Sequence, residues 1–198
     1  MAKPHPVSGI DPGGRLTPSA RRILAVRIGE VYANEWAITD PARVTELHDM
    51  RIACKRLRYL LEIFDVAFRS DMAPHIETVR ELQDLLGDIH DCDVQVPMLK
   101  GHLAWLEERE TEALSALAEV RPPEPRVAGD PARVEAAFDA FRGSLDAVRR
   151  GDERIGIHSL IARRERERVE LYARFLDTWR RLKVERFRHR LESDVGIR

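Results

Sequence analysis

The sequence predicts an all-α protein, a helical bundle of about six helices. Three observations predict it. Hydrophobic residues make up 43% and charged residues 34%, with Arg, Glu, Leu and Ala prominent, a mix that favours helices over sheets. Apolar residues recur three and four apart through long windows and do not alternate. Helix-start signals, a hydroxyl or carboxylate before a proline, stand at Thr17-Pro18, Asp40-Pro41 and Asp130-Pro131.

Residues 1–16 are rich in Pro and Gly, with Asp11-Pro12-Gly13-Gly14 as a turn signal, and read as a flexible arm. The first helix covers 17–38, with a hydroxyl cap and an apolar stripe of Leu24, Ile28, Val31, Tyr32 and Trp36. Asp40 then caps a central helix that runs to Phe68. Ser70-Asp71 caps a third, apolar at Ile76, Val79, Leu82, Leu85, Leu86 and Ile89, with Asp84, Asp88 and Asp91 on its other face. Gly87 loosens this helix and Pro97 kinks or ends it. A fourth helix follows over 98–119, and the proline-rich stretch 121–129 is a linker. A fifth covers 131–150, with Ala137, Phe138, Phe141, Leu145 and Val148 inward, and Gly151 breaks it. A sixth covers 153–192, with the stripe Ile161, Val169, Tyr172, Phe175, Leu176, Trp179 and Leu182. Its outer face offers the pairs Glu170–Arg174 and Asp177–Arg181. Residues 193–198 are a tail. The expected organisation is one helical domain over 17–192.

The formal net charge of −1 argues against a general nucleic-acid binder, which carries excess positive charge. Cys54 and Cys92 are the only cysteines, form no CxxC, and read as small buried hydrophobes in a reducing compartment. No apolar run approaches the roughly 18 residues of a membrane span, and the first residues show no apolar signal region. The expectation is a cytoplasmic protein without a membrane partner.

Within the central helix, His48, Arg51, Lys55 and Arg58 recur at i, i+3, i+7 and i+10, which places them on one face. Met50, Ala53, Leu57, Leu60, Leu61 and Phe64 face away from them, and Tyr59 flanks the row. The row is single-signed for about 15 Å, ten residues at 1.5 Å each, until Glu62. Like charges at this spacing cost a helix roughly 0.2–0.5 kcal/mol per pair, so an anion is expected to compensate them. Acidic side chains of a neighbouring helix and a polyanionic ligand are the two candidates. Arg168 lies on the apolar side of the sixth helix near Tyr172, Phe175 and Trp179, with Arg164 at its edge. A buried Arg needs a partner, either the acidic third helix or the ligand of Arg51.

Nucleophilic catalysis has no sequence support: there is no G-x-S-x-G, Walker loop or G-x-G-x-x-G, and neither Cys has a His partner in view. The dipeptides His48-Asp49 and His90-Asp91 raise a metal-dependent phosphohydrolase of the HD type as an alternative. Asp49 points away from the row, however, and a cationic row is a poor neighbour for a metal ligand.

The run His48-Asp49-Met50-Arg51-Ile52-Ala53-Cys54-Lys55-Arg56-Leu57-Arg58-Tyr59-Leu60-Leu61-Glu62-Ile63-Phe64 resembles the signature helix of the CHAD family, the conserved-histidine α-helical domain. Leu82-Gln83-Asp84-Leu85-Leu86-Gly87-Asp88-Ile89-His90-Asp91-Cys92-Asp93-Val94 is similar to its second block, and Arg164 to Arg168 with Tyr172, Phe175 and Trp179 to its C-terminal helix. The resemblance implies a helical bundle that binds inorganic polyphosphate without catalysis, often at polyphosphate granules. It implies binding by His48, Arg51, Lys55, Arg56, Arg58, Tyr59, Arg164 and Arg168, with Asp88, Asp91 and Asp93 holding the guanidinium groups from behind. No catalytic residue, metal or cofactor is expected. The family commonly has two basic helices and this chain has one. It is therefore a monomer closed by Arg164 and Arg168, or a weak homodimer. A third alternative is a helical interaction module whose basic row pairs with its own acidic helix.

Overall fold

A computed structural model describes residues 3–119, 135–136, 138–139, 142 and 151–197. It is an all-helical bundle with no strand among the described residues. Five α-helices are present there: α1 Leu16–Ala33, α2 Val44–Phe64, α3 Ala73–Glu119, α4 Gly151–Val184 and α5 Phe187–Asp194. A 3-10 turn, Asp65–Ala67, follows α2. The expected linker 121–129 lies outside the described residues, as do Ala137, Phe141, Leu145 and Val148. Phe138 is 60% exposed and does not face inward as expected.

The chain divides into two compact units, residues 1–93 with 167–198 and residues 94–166. The first unit holds the main core. Leu24, Ile28 and Val31 of α1 join Leu47, Met50, Cys54, Leu57 and Leu61 of α2, all buried. Val79, Leu82, Leu86 and Ile89 of α3 and Phe175, Trp179 and Leu182 of α4 complete it. These are helix stripes at three-and-four spacing, and their burial, not local propensity, supplies most of the helix stability. In the second unit Leu103, Leu106 and Ile161 are buried. There Lys100 pairs with Glu165 at 2.7 Å and Arg154 with Glu110.

Several helix ends differ from the sequence reading. Helix α1 stops at Ala33 and turns through 34–39, so that Ala37 and Ile38 are buried and Trp36 is 64% exposed beneath the Arg43 guanidinium. The Tyr172 hydroxyl donates to the Ile38 carbonyl at 2.6 Å, a bond that requires the turn. Thr17 does not cap α1; its hydroxyl donates to the Ala67 carbonyl at 3.1 Å. Asp40 accepts from the Ala42 amide at 2.9 Å and forms a turn, and α2 begins only at Val44. Asp71 accepts likewise from the Ala73 amide where α3 begins.

Pro97 lies inside α3, which continues to Glu119, so the expected third and fourth helices are one. A proline inside a helix costs about 3 kcal/mol. Buried apolar residues at helical spacing on both sides of it, Ile89 and Cys92 before and Leu103 and Leu106 after, outweigh that cost. The expected sixth helix is instead two, α4 and α5, joined at Glu185 and Arg186, where Arg186 adopts a left-handed backbone with φ of 51°. Of the expected stripe Val169 alone is exposed; Ile161, Tyr172, Phe175, Trp179 and Leu182 are buried, and Leu171 joins them. Asp177 pairs with Arg180 at 2.9 Å, and Arg181 reaches Glu81 on α3 at 2.8 Å.

Both termini of the described chain are tied to the first unit. The His5 amide donates to Glu30 at 2.5 Å, and Arg22 donates to the Gly9 carbonyl at 2.7 Å. Val195 is fully buried, with its carbonyl accepting from Arg21 Nε at 3.0 Å. Phe175 is the largest side chain with no exposure and touches the centre of this core. Phe175→Ala is expected to lower stability by about 3–5 kcal/mol, from lost transfer energy plus the cavity, as read by urea unfolding.

Candidate anion site on the α2–α3 seam

The buried stripe of α2 is Leu47, Met50, Cys54, Leu57 and Leu61, with Ala53 buried beside Cys54. The basic row is that stripe advanced by one residue: His48, Arg51, Lys55 and Arg58, ending at Glu62. One residue is about 100° of helix rotation, so the row borders the core and does not oppose it. Helix α3 repeats the arrangement. Its buried residues Val79, Leu82, Leu86 and Ile89 are followed by Arg80, Gln83, Gly87 and His90.

The two rows meet in opposite directions along the seam. His48 Nδ1 lies 3.3 Å from His90 Nδ1, with ring centroids 4.4 Å apart and planes inclined by 42°. A methyl group at Gly87 would stand 3.6 Å from Arg51 Nε, so α3 approaches this guanidinium closely where it lacks a side chain. Arg58 donates from Nε to Gln83 at 2.9 Å and from Nη1 to Glu62 at 2.8 Å. Its guanidinium also lies 4.4 Å from the centre of the Tyr59 ring. Arg80 reaches Glu62 at 3.7 Å and Glu77 at 2.5 Å.

The seam is thus hydrogen-bonded at its Arg58 end and paired through the two imidazoles at its His48 end, with Arg51 between them. Arg51 Nε is buried and has no hydrogen-bond partner among the described residues. Lys55 is exposed, with its ammonium 6.0 Å from the Tyr59 ring centre. An unpaired buried donor is costly and fits a site that an acceptor fills from outside.

Other expected residues fall elsewhere. Arg56 lies around the helix from the row and lines a cavity of about 170 Å³ with Lys3, His5, Glu30 and Asp49. Arg168 meets the acidic partner that its burial demands: it pairs with Asp93 and donates to the Pro41 carbonyl at 2.8 Å. This makes it a strut between α3, α4 and the turn before α2. Arg164 belongs to the second unit. Asp88 and Asp91 are exposed, and neither they nor Asp93 buttresses a guanidinium of the row. The sequence reading missed His90, Gln83 and Gly87 as the facing wall. Their signal was present, since Arg80, Gln83, Gly87 and His90 repeat the row's own spacing in reverse order.

Burial, and then the neighbouring His90, hold the His48 imidazole below its ordinary pKa of 6.5; Asp49 opposes this and Arg51 adds to it. Burial pushes the Cys54 thiol up to about 12, which makes it an unreactive core residue. Among the described residues no group of three or more His, Cys, Asp or Glu is placed to hold a metal ion. None of the described helices is long and apolar enough to cross a membrane.

Two outcomes follow from this geometry. Arg168→Ala strands Asp93, whose side chain is only 9% exposed, and is expected to cost about 3 kcal/mol in urea unfolding. Lys55→Ala is expected to stay within about 0.5 kcal/mol. The second concerns pH. Below 6.5 the unfolded chain takes up a proton at His48 that the folded chain resists, so stability falls as pH drops through that value. His48→Gln is expected to flatten this part of the stability profile, measured as urea midpoints across the range.

The CHAD domain family model matches residues 3–100. No curated protein matches the chain, and no solved structure does.

Proposed function

The chain belongs to the CHAD domain family over residues 3–100, and from that premise we propose that it binds inorganic polyphosphate without hydrolysing it. The observation that carries the reading is Arg51, whose buried Nε has no partner, set in a row with the exposed Lys55. A polyphosphate chain bears about one negative charge per phosphate and has no sequence to read. Cations at a steady pitch along a helix suit such a ligand. Arg58 and Tyr59 stand at one end of the seam and His48 at the other. The protein is read as cytoplasmic, acting where polyphosphate accumulates.

The rival module, in which the basic row is neutralised by its own acidic helix, is disfavoured by α3 itself. It turns Gln83, Gly87 and His90 toward the row and leaves Asp84, Asp88 and Asp91 exposed. A metal-dependent phosphohydrolase is the second reading, resting on the dipeptides His48-Asp49 and His90-Asp91.

The test is a titration with polyphosphate, with and without magnesium, while phosphate release is followed. Binding without release is the expected result; metal-dependent release would establish the hydrolase instead. A hydrogen bond to a charged group contributes about 1.5–3 kcal/mol, and 1.4 kcal/mol is tenfold in affinity. Arg51→Glu combined with Lys55→Glu is therefore expected to weaken binding at least roughly 100-fold with helix content retained. Affinity is expected to fall steeply with salt, as it does when counterions are released from nucleic acids. Unchanged binding in the double variant would remove the row from the site.

A further inference from the structure

We propose, on the footing of the polyanion reading, that His48 and His90 form the seat of one phosphate group beside Arg51, and that this seat fills with uptake of a proton. The two Nδ1 atoms lie 3.3 Å apart. A neutral imidazole carries one N–H and one lone pair, so at this distance one ring donates and the other accepts. The pair therefore holds a single proton at the contact. If the accepting ring is protonated as well, two N–H groups point at each other and repel.

The charged groups around the pair act in both directions. On α2, Asp49 favours the protonated form of His48 and Arg51 disfavours it. From α3, His90 disfavours it. Asp91 beside His90 is exposed, and Asp93 is engaged by Arg168. Burial first, and then His90 and Arg51 against Asp49, hold His48 below its ordinary pKa, in keeping with a contact that carries one proton.

An oxyanion reverses the sign of that balance. Placed at the mouth of the pair, a phosphate oxygen accepts from both Nδ1–H groups, which no longer need to face each other. Arg51 lies one turn along the same row, about 4.5 Å on by helix rise, and adds its unpartnered Nε–H. Gly87 opposite presents no side chain to block the approach. The proton comes from solvent and goes to the lone pair of the accepting imidazole. No bond of the ligand is made or broken. Lys55 and Arg58 hold the following part of the chain by charge alone, with no proton exchanged.

Calorimetric titration of the full chain with long-chain polyphosphate at about pH 7, in two buffers of unlike protonation enthalpy, measures the uptake directly. A long chain keeps the contribution of its titrating terminal groups small. The wild type is expected to take up about one proton per seat. His90→Gln and His48→Gln are each expected to bind more weakly with uptake near zero. Between pH 6 and 8 the wild-type affinity is expected to fall by up to tenfold per unit, and that of the variants to stay flat. Binding by the wild type with a buffer-independent enthalpy overturns the seat and leaves the polyanion reading standing, as does equal uptake in both variants. Absence of binding by the wild type at low salt overturns the polyanion reading and the seat with it. The wild-type measurement decides without recourse to a variant, should either substitution disturb the fold.

Discussion

The burial of one stripe on α2 constrains everything at the candidate site. Leu47, Met50, Cys54, Leu57 and Leu61 enter the core, and a helix cannot turn one face inward without fixing the others. The residue after each buried one is thereby set on the edge of the seam. There it is neither fully hydrated nor fully enclosed. Four of those five following residues are His48, Arg51, Lys55 and Arg58. The spacing that packs the core thus also sets the pitch of the cations. Helix α3 obeys the same constraint, and because it lies antiparallel its own edge row meets that of α2. The site is therefore a by-product of register: a one-residue slip of either helix would send its row into the core.

The composition of the facing wall decides what the seam does. Had Gln83, Gly87 and His90 been carboxylates, the row would be a set of internal ion pairs and its purpose structural. At Glu62 a carboxylate reaches the row, through Arg58 and Arg80. Arg168 shows the other outcome within the same unit. Its guanidinium meets Asp93 and a backbone carbonyl, and its charge is consumed there. Arg51 and Arg168, of similar appearance in the sequence, thus differ in their surroundings: Arg168 meets an acid, and the buried Nε of Arg51 meets no acceptor among the described residues.

The helical class and the row itself were legible because both depend on periodicity, which is local. The stripes of α1, α2 and α3 and the burial of Phe175, Trp179 and Leu182 followed from the same signal. What escaped was set by tertiary contacts. Trp36 continues the α1 period on paper, yet the Tyr172 hydroxyl takes the Ile38 carbonyl and the chain turns before it. Pro97 is a helix breaker by propensity, and packing on both sides overrides it. Arg186 carries no turn signal, and its left-handed backbone costs of order 1 kcal/mol or more, which closure of α5 over the core offsets. The family motif carried Arg56 into the site, whereas helix geometry alone puts it around the helix from Arg51.

The wall of the site was the hardest part to read, and the reason is physical. Acidic residues on α3 attract attention because opposite charges are the obvious partners of a basic row. Asp84, Asp88 and Asp91 share the helix with the wall but are directed to solvent, and a neutral glutamine, a glycine and a histidine take the facing positions. Those residues neither neutralise the row nor fill it. Gln83 fixes the rotamer of Arg58 at one end, Gly87 removes bulk opposite Arg51, and His90 adds a titratable donor opposite His48. Along the seam the order is therefore a hydrogen-bonded end at Arg58, a partnerless donor at Arg51 and two facing imidazoles at His48 and His90. The partnerless donor, Arg51 Nε, thus lies toward the His48 end of the row, and the Glu62 carboxylate stands at the other.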